Sequence, residues 1–166
     1  MHTLVVLAAQ DLLFVLVAAT AVVWLLLDRA GKLRLALEAV IGLLLVGAGI
    51  WLAAHLHADP RPFVADGTPA LFGHPADNGF PSDHSAAAGL LAVLVARWRR
   101  VLGALVAAGA VVVAWTRVAA HVHHAQDVVA GLAIGVLAGL AGIWLAGLLL
   151  AVLERRGVAR APWVHR

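Results

Sequence analysis

The chain has 166 residues, of which 63% are hydrophobic and 13% charged, and its mean hydropathy is +0.97. A soluble domain is nearer half apolar and a quarter charged, so these figures exclude an ordinary cytosolic globule and a disordered chain; at about 20 residues per span the length fits roughly five membrane helices. The net charge of +3 is small and its basic residues sit at the ends of apolar runs, which speaks against a nucleic-acid surface, and the absence of Cys removes disulfides and thiolate metal sites.

Five apolar runs follow one another, over residues 4–27, 35–56, 82–96, 101–115 and 127–153. The first is preceded only by Met1, His2 and Thr3, with no basic segment, and is expected as a spanning helix rather than a cleavable signal. Asp11 inside it is expensive in lipid, so it is expected to face the bundle or lie near the extracytoplasmic interface. Residues 28–32 read as a short turn, as does the basic stretch Arg97, Trp98, Arg99, Arg100. Between the second and third runs, residues 58–81 hold five of the six prolines and three acids, the mark of an ordered loop rather than a linker. Gly131, Gly135 and Gly139 form small-residue steps on the last run and are expected to pack inside the bundle.

The expected architecture is an all-α, polytopic transmembrane bundle. Ten of the 12 Lys and Arg residues fall on one side: Arg29, Lys32, Arg34, Arg97, Arg99, Arg100, Arg155, Arg156, Arg160 and Arg166. The positive-inside rule makes that side cytoplasmic. Arg61, Arg117, most histidines and most aspartates then lie on the extracytoplasmic face. Trp24, Trp51, Trp98, Trp115 and Trp144 fall near the ends of runs, as headgroup-level anchors do, and Trp163 follows the last basic cluster.

Three separated segments reach that face with polar groups that a purely structural membrane helix would avoid. They are Arg61-Pro62-Phe63, Pro81-Ser82-Asp83-His84, and the stretch from Thr116-Arg117 to His123 and Asp127. Arg61 and Arg117 supply forked donors suited to phosphate oxygens, and the N-termini of the third and fifth helices add free N–H groups and the positive ends of their dipoles. Ser82 suits either a helix cap or a phosphate donor. His123 and Asp127 are spaced i, i+4 and share a face if the helix already includes His123; the carboxylate then takes one ring nitrogen and leaves the other free to attack. His84, on another helix, is placed to protonate a leaving oxygen.

These segments resemble the three signature motifs of the type 2 phosphatidic acid phosphatase superfamily. The stretch from His74 to His84, with Asp83 between Ser82 and His84, is most similar to bacitracin-resistance-type undecaprenyl pyrophosphate phosphatases. The resemblance implies one integral membrane phosphatase domain over 1–166 with a motif-bearing core at 54–131, seated in the plasma membrane with its site facing outward. It implies a metal-independent, cofactor-free enzyme that takes the terminal phosphate from a polyprenyl pyrophosphate released by cell-wall polymerisation. His123 would attack phosphorus, Asp127 support it and His84 protonate the leaving group; water then hydrolyses the phosphohistidine. Arg61, Ser82 and Arg117 would hold the phosphoryl oxygens, and Asp83 is assigned equally to helix stabilisation and to substrate discrimination. In place of the superfamily's Lys seven residues before the Arg stands Ala54, with His55 or His57 as candidate substitutes, and Thr116 replaces a Ser. Relatives often have six helices.

Three readings compete with this one. A phosphatidic acid or phosphatidylglycerol phosphate phosphatase would use the same chemistry. A histidine-rich metal-binding or transport protein would use His121, His123, His124 and Asp127 as ligands. Either arginine could instead simply reach headgroups. His55, His57 and His74 are expected as loop or supporting residues.

Overall fold

The computed structural model describes residues 2–156, which form α1 (His2–Leu26), α2 (Arg29–Leu56), α3 (Pro62–Ala65), α4 (Asp83–Trp98), α5 (Arg100–Ala119) and α6 (Ala125–Arg155). Among the described residues the regular secondary structure is helical, with one isolated antiparallel bridge between Pro60 and Asn78. Arg160, Trp163 and Arg166 lie outside them.

Local chemistry sharpens the expected boundaries. Asp28 caps α2 by accepting from the Gly31 N–H at 2.8 Å, so the helix starts at Arg29 and the turn expected over 28–32 shrinks to two residues. Arg99 alone closes α4 and opens α5. With helices this tightly joined, successive long helices run antiparallel. Apart from Arg117, the Lys and Arg residues of α2, α4, α5 and α6 collect at one end, and the 57–82 loop and the α5–α6 turn at the other.

Four helices, α1, α2, α5 and α6, are long and apolar enough to cross a membrane. The third expected span, α4, has 16 residues and is instead the interior helix, packed against α1, α2, α5 and α6. Its sequence explains the position. Ser85, Ala86, Ala88, Gly89 and Ala92 are small and buried, so other backbones come close. A Cβ on Gly131 or Gly135 of α6 would run into the carbonyl oxygens of Ser82 or Ala86, which confirms those glycines as packing residues within the bundle. The lipid-facing side is apolar, with Trp24, Trp51, Trp115 and Trp144 exposed. Asp11 is also exposed on α1, so it does not face the bundle.

The basic end holds a carboxylate that the sequence reading passed over. Glu38 of α2 is 0% exposed. It accepts from Arg34 Nε at 3.1 Å and from the Trp98 indole at 3.4 Å, with Arg97 Nε at 3.8 Å. A buried carboxylate is tolerated only with such partners, and these tie α2 to the end of α4.

At the other end the chain reverses after α5 through a Schellman turn. Val122 N–H donates to the Arg117 carbonyl at 3.2 Å and His121 N–H to the Val118 carbonyl at 2.9 Å. His121 takes the left-handed position, φ 58°, usually given to Gly. Buried Val122 seats the turn against Ala9 and Ala120. Because a β-branched residue strongly resists this conformation, His121→Val should lower the melting temperature by roughly 2–4 °C. His121→Gly should melt above His121→Val in the same detergent, as followed by circular dichroism; equal melting of the two would exclude backbone conformation as the reason.

Candidate active site

The 57–82 loop, the N-terminus of α4, the last turn of α5 and the turn before α6 enclose a pocket of about 310 Å³. Arg61, His74, Asp77, Asp83, His84, Arg117 and His123 line it, with Ile50 and Ala54 of α2 as an apolar wall. Of the seven expected site residues, five reach this wall: Arg61, Asp83, His84, Arg117 and His123. Asp127 and Ser82 stand behind it.

The loop is ordered by Asn78. Its side-chain oxygen accepts from the N–H groups of Asp59 at 2.9 Å and Phe80 at 3.0 Å, and its amide donates to the His57 carbonyl at 3.2 Å. Arg61, at the start of α3, is 6% exposed. Its Nε donates to Asp77 at 2.7 Å, and its Nη1 to the Val122 carbonyl at 2.8 Å and to His123 Nε2 at 3.2 Å. The hydrogen bond from Arg61 holds the Asp77 carboxyl below the ordinary carboxylate range, so the pair is ionic at neutral pH.

The state of His123 follows from its neighbours. Arginine only donates, so the His123 Nε2 facing Arg61 is an acceptor, and the proton lies on Nδ1, which donates to Asp127 Oδ2 at 3.3 Å. The lone pair is thus on the pocket side. The residue is not helical, as the i, i+4 reading required; it precedes His124, the N-cap of α6. Asp127 reaches it from the N3 position of a capping box, also accepting from the His124 N–H at 2.8 Å.

Arg117 is 2% exposed and held on several sides. Nη1 donates to the Ala9 carbonyl of α1 at 3.2 Å, Nη2 to His74 Nε2 at 2.9 Å, and the guanidinium lies 5.5 Å from the Phe72 ring centre. Its Nε is buried with no protein partner. Ser82 is fully buried as the N-cap of α4, bonded to the Ser85 N–H and hydroxyl. The Thr116 hydroxyl donates to the Val113 carbonyl of its own helix.

His55 bonds the Trp51 carbonyl, and His57 packs edge-on against Phe80; both are exposed and neither replaces the missing lysine. His74, expected among the loop residues, is in the pocket. No spacing rule pointed to it. The ligand set of the competing metal reading is brought together only in part: His121 contacts the Pro69 carbonyl, and among the described residues the converging His and Asp side chains are Asp59, His124 and Asp127. There Asp59 Oδ2 already accepts from His124 Nδ1 at 3.0 Å and Gln126 at 2.6 Å.

A pocket with two buried guanidiniums, an imidazole oriented by a carboxylate and two helix N-termini is suited to an anion. Comparison with known proteins identifies a family. Residues 35–151 match the profile of the PAP2 superfamily. YbjG of Escherichia coli (strain K12), named as a candidate undecaprenyl-diphosphatase, is 33% identical over 149 residues, covering 88% of this chain and 75% of its own length. The undecaprenyl-diphosphatase BcrC of Bacillus subtilis (strain 168) is 34% identical over 92 residues, 54% of this chain and 46% of that one. A crystal structure of a transmembrane PAP2-type phosphatidylglycerolphosphate phosphatase from Bacillus subtilis aligns with a TM-score of 0.48 at 20% identity, covering 84% of this chain and 90% of that one.

Gly79 packs directly against Asp127 and Arg61. A Cβ there would lie 3.0 Å from the Asp59 carbonyl, 3.2 Å from Asp127 Oδ2 and 3.3 Å from Arg61 Cγ. Gly79→Val should therefore displace Asp127 or Arg61 and cut turnover of a phosphate ester by about tenfold or more, with wild-type expression in the membrane. Unchanged turnover would mean that the contact is not needed for catalysis.

Proposed function

The chain belongs to the PAP2 superfamily, and on that premise we propose that this lipid phosphatase removes the terminal phosphate of a polyprenyl pyrophosphate of the undecaprenyl type through a phosphohistidine on His123. The observation that carries the reading is the tautomer of His123, with Nδ1–H on Asp127 and the Nε2 lone pair beside Arg61. The names of the relatives support the substrate class.

In the first step His123 Nε2 bonds to phosphorus and the bond to the bridging oxygen breaks. His84 gives a proton to that oxygen as the lipid monophosphate leaves. Asp127 stabilises the positive charge that develops on the ring. In the second step His84 takes a proton from water, the water oxygen attacks phosphorus, and the P–N bond breaks to release phosphate and restore the imidazole. Arg61 and Arg117 hold the equatorial oxygens in both steps, assisted by the backbone N–H groups at the start of α4 that Ser82 caps, and their fixed charge does the work that a cation does elsewhere. The reaction is accordingly independent of metal and cofactor. Asp83, exposed on the pocket lining at the start of α4, serves equally as a helix-stabilising acid and as a discriminator among headgroups.

The basic end is cytoplasmic on this reading, and the pocket opens on the outer face of the plasma membrane, where cell-wall polymerisation releases the carrier lipid as its pyrophosphate.

His123→Ala should remove at least nine-tenths of phosphate release from undecaprenyl pyrophosphate, with or without chelator, and Asp127→Asn should cost less. His84→Ala should slow a lipid monophosphate, whose alkoxide leaving group needs a proton, far more than an activated aryl phosphate, whose leaving group needs none. Turnover by His123→Ala near wild type would overturn the mechanism, and faster hydrolysis of phosphatidic acid or phosphatidylglycerol phosphate would reassign the substrate.

Orientation has its own test. In this cysteine-free chain, Gly67→Cys in the loop should react with an impermeant maleimide in intact cells, while Ala30→Cys should not. The reverse pattern would place the pocket in the cytoplasm and remove externally released carrier as the substrate.

A further inference from the structure

His74 has the most specific unassigned contact in the pocket. Its Nε2 lies 2.9 Å from Arg117 Nη2. Guanidinium nitrogens only donate, so the imidazole is the acceptor and carries its proton on Nδ1, which lies 3.4 Å from the Pro75 carbonyl. Two residues earlier in the same loop, Phe72 lies beneath the guanidinium. The loop thus grips Arg117 by its face and by one end, while Ala9 of α1 holds Nη1. The His74 ring also stands edge-on to His123, with centres 6.2 Å apart.

We propose that His74 is a positioning residue which, as a neutral acceptor, aims Arg117 at the phosphoryl group and releases it when protonated. This rests on the phosphoryl-transfer reading above. A protonated His74 has no lone pair for Arg117 and puts a second positive charge against it, so the anion site loosens as pH falls through the His74 pKa. Burial first, then Arg61 and Arg117, keep that pKa below the ordinary histidine value of 6.5. The charged and titratable groups lining the pocket with it are Arg61 and Asp77 of the loop, Asp83 and His84 of α4, Arg117 of α5, and His123 before α6. Several can ionise in acid. The limb belonging to His74 is therefore identified by substitution.

The test compares wild type, His74→Ala and His74→Gln, purified in detergent and checked for folding by circular dichroism. Glutamine places an amide oxygen near the former Nε2 and cannot ionise. Two readouts are taken across pH 4 to 8 (about that range suffices for a histidine): the Kd of inorganic phosphate by calorimetry, and kcat and KM on the lipid pyrophosphate. His74→Ala should weaken phosphate binding and lower kcat/KM by about 10- to 100-fold at neutral pH. His74→Gln should recover most of both losses, and its acid limb should move to lower pH than that of wild type. If glutamine is as impaired as alanine, or the limb does not move, the inference is overturned. Phosphate binding reads the His74–Arg117 contact without turnover, so a protein that binds phosphate in this pattern yet leaves the lipid intact would refute the proposed substrate and keep the inference.

Discussion

One carboxylate holds the site together. Asp127 Oδ2 accepts from the His123 ring and from the His124 N–H, and the Asp127 carbonyl accepts from the Ser82 N–H at 3.0 Å. A single buried residue therefore caps α6, sets the tautomer of the proposed nucleophile and pins the start of α4 beside it. A short cap is stiff, and its stiffness passes directly to the imidazole. The close approach of α4 and α6 below, over Gly131 and Gly135, is what lets the two N-termini meet at one anion site.

The same packing explains how the arginines are held. In a medium poor in water, each guanidinium needs protein acceptors. Arg61 finds them in Asp77, the Val122 carbonyl and His123; Arg117 finds them in the Ala9 carbonyl and His74. α1 contributes no side-chain chemistry to the pocket, yet its backbone supports Arg117. The position of Ala54, where a lysine is usual, leaves an apolar wall with Ile50, so the cationic character of the pocket comes from the loop and from α5.

Much of this was legible in the sequence, for reasons that differ by residue. Apolar runs and charge asymmetry report apolar spans and helix ends directly, and the five long helices lie on the five runs, with α2 starting six residues earlier, at Arg29, where Asp28 caps it. Arg61, His84, Arg117 and His123 were legible because motif spacing on successive helices brings them to one end. Ser82 was ambiguous between cap and phosphate donor, and its hydroxyl turned to the cap, since Ser85 offers both an N–H and a hydroxyl nearby. His74 and Glu38 were not legible. Each has meaning only through partners far along the chain, Arg117 for one and Trp98 and Arg97 for the other, and local pattern carries no record of such pairs. The left-handed His121 was hidden too, because the turn that imposes it is normally announced by a glycine.

The shortness of α4 bears on how the protein enters the bilayer. Its 16 residues span roughly 24 Å, less than the ~30 Å of hydrocarbon, and polar Asp83 and His84 at one end and Arg97 at the other shorten the apolar stretch further. A segment of this kind gains little by partitioning into lipid alone. The one-residue turn at Arg99 joins it to α5, which is long and apolar enough to cross, and α6 packs along it. His84 arrives on that dependent segment. Closing the bundle and completing the pocket are therefore linked: until α4 is packed among its neighbours, His84 is not at the pocket lining.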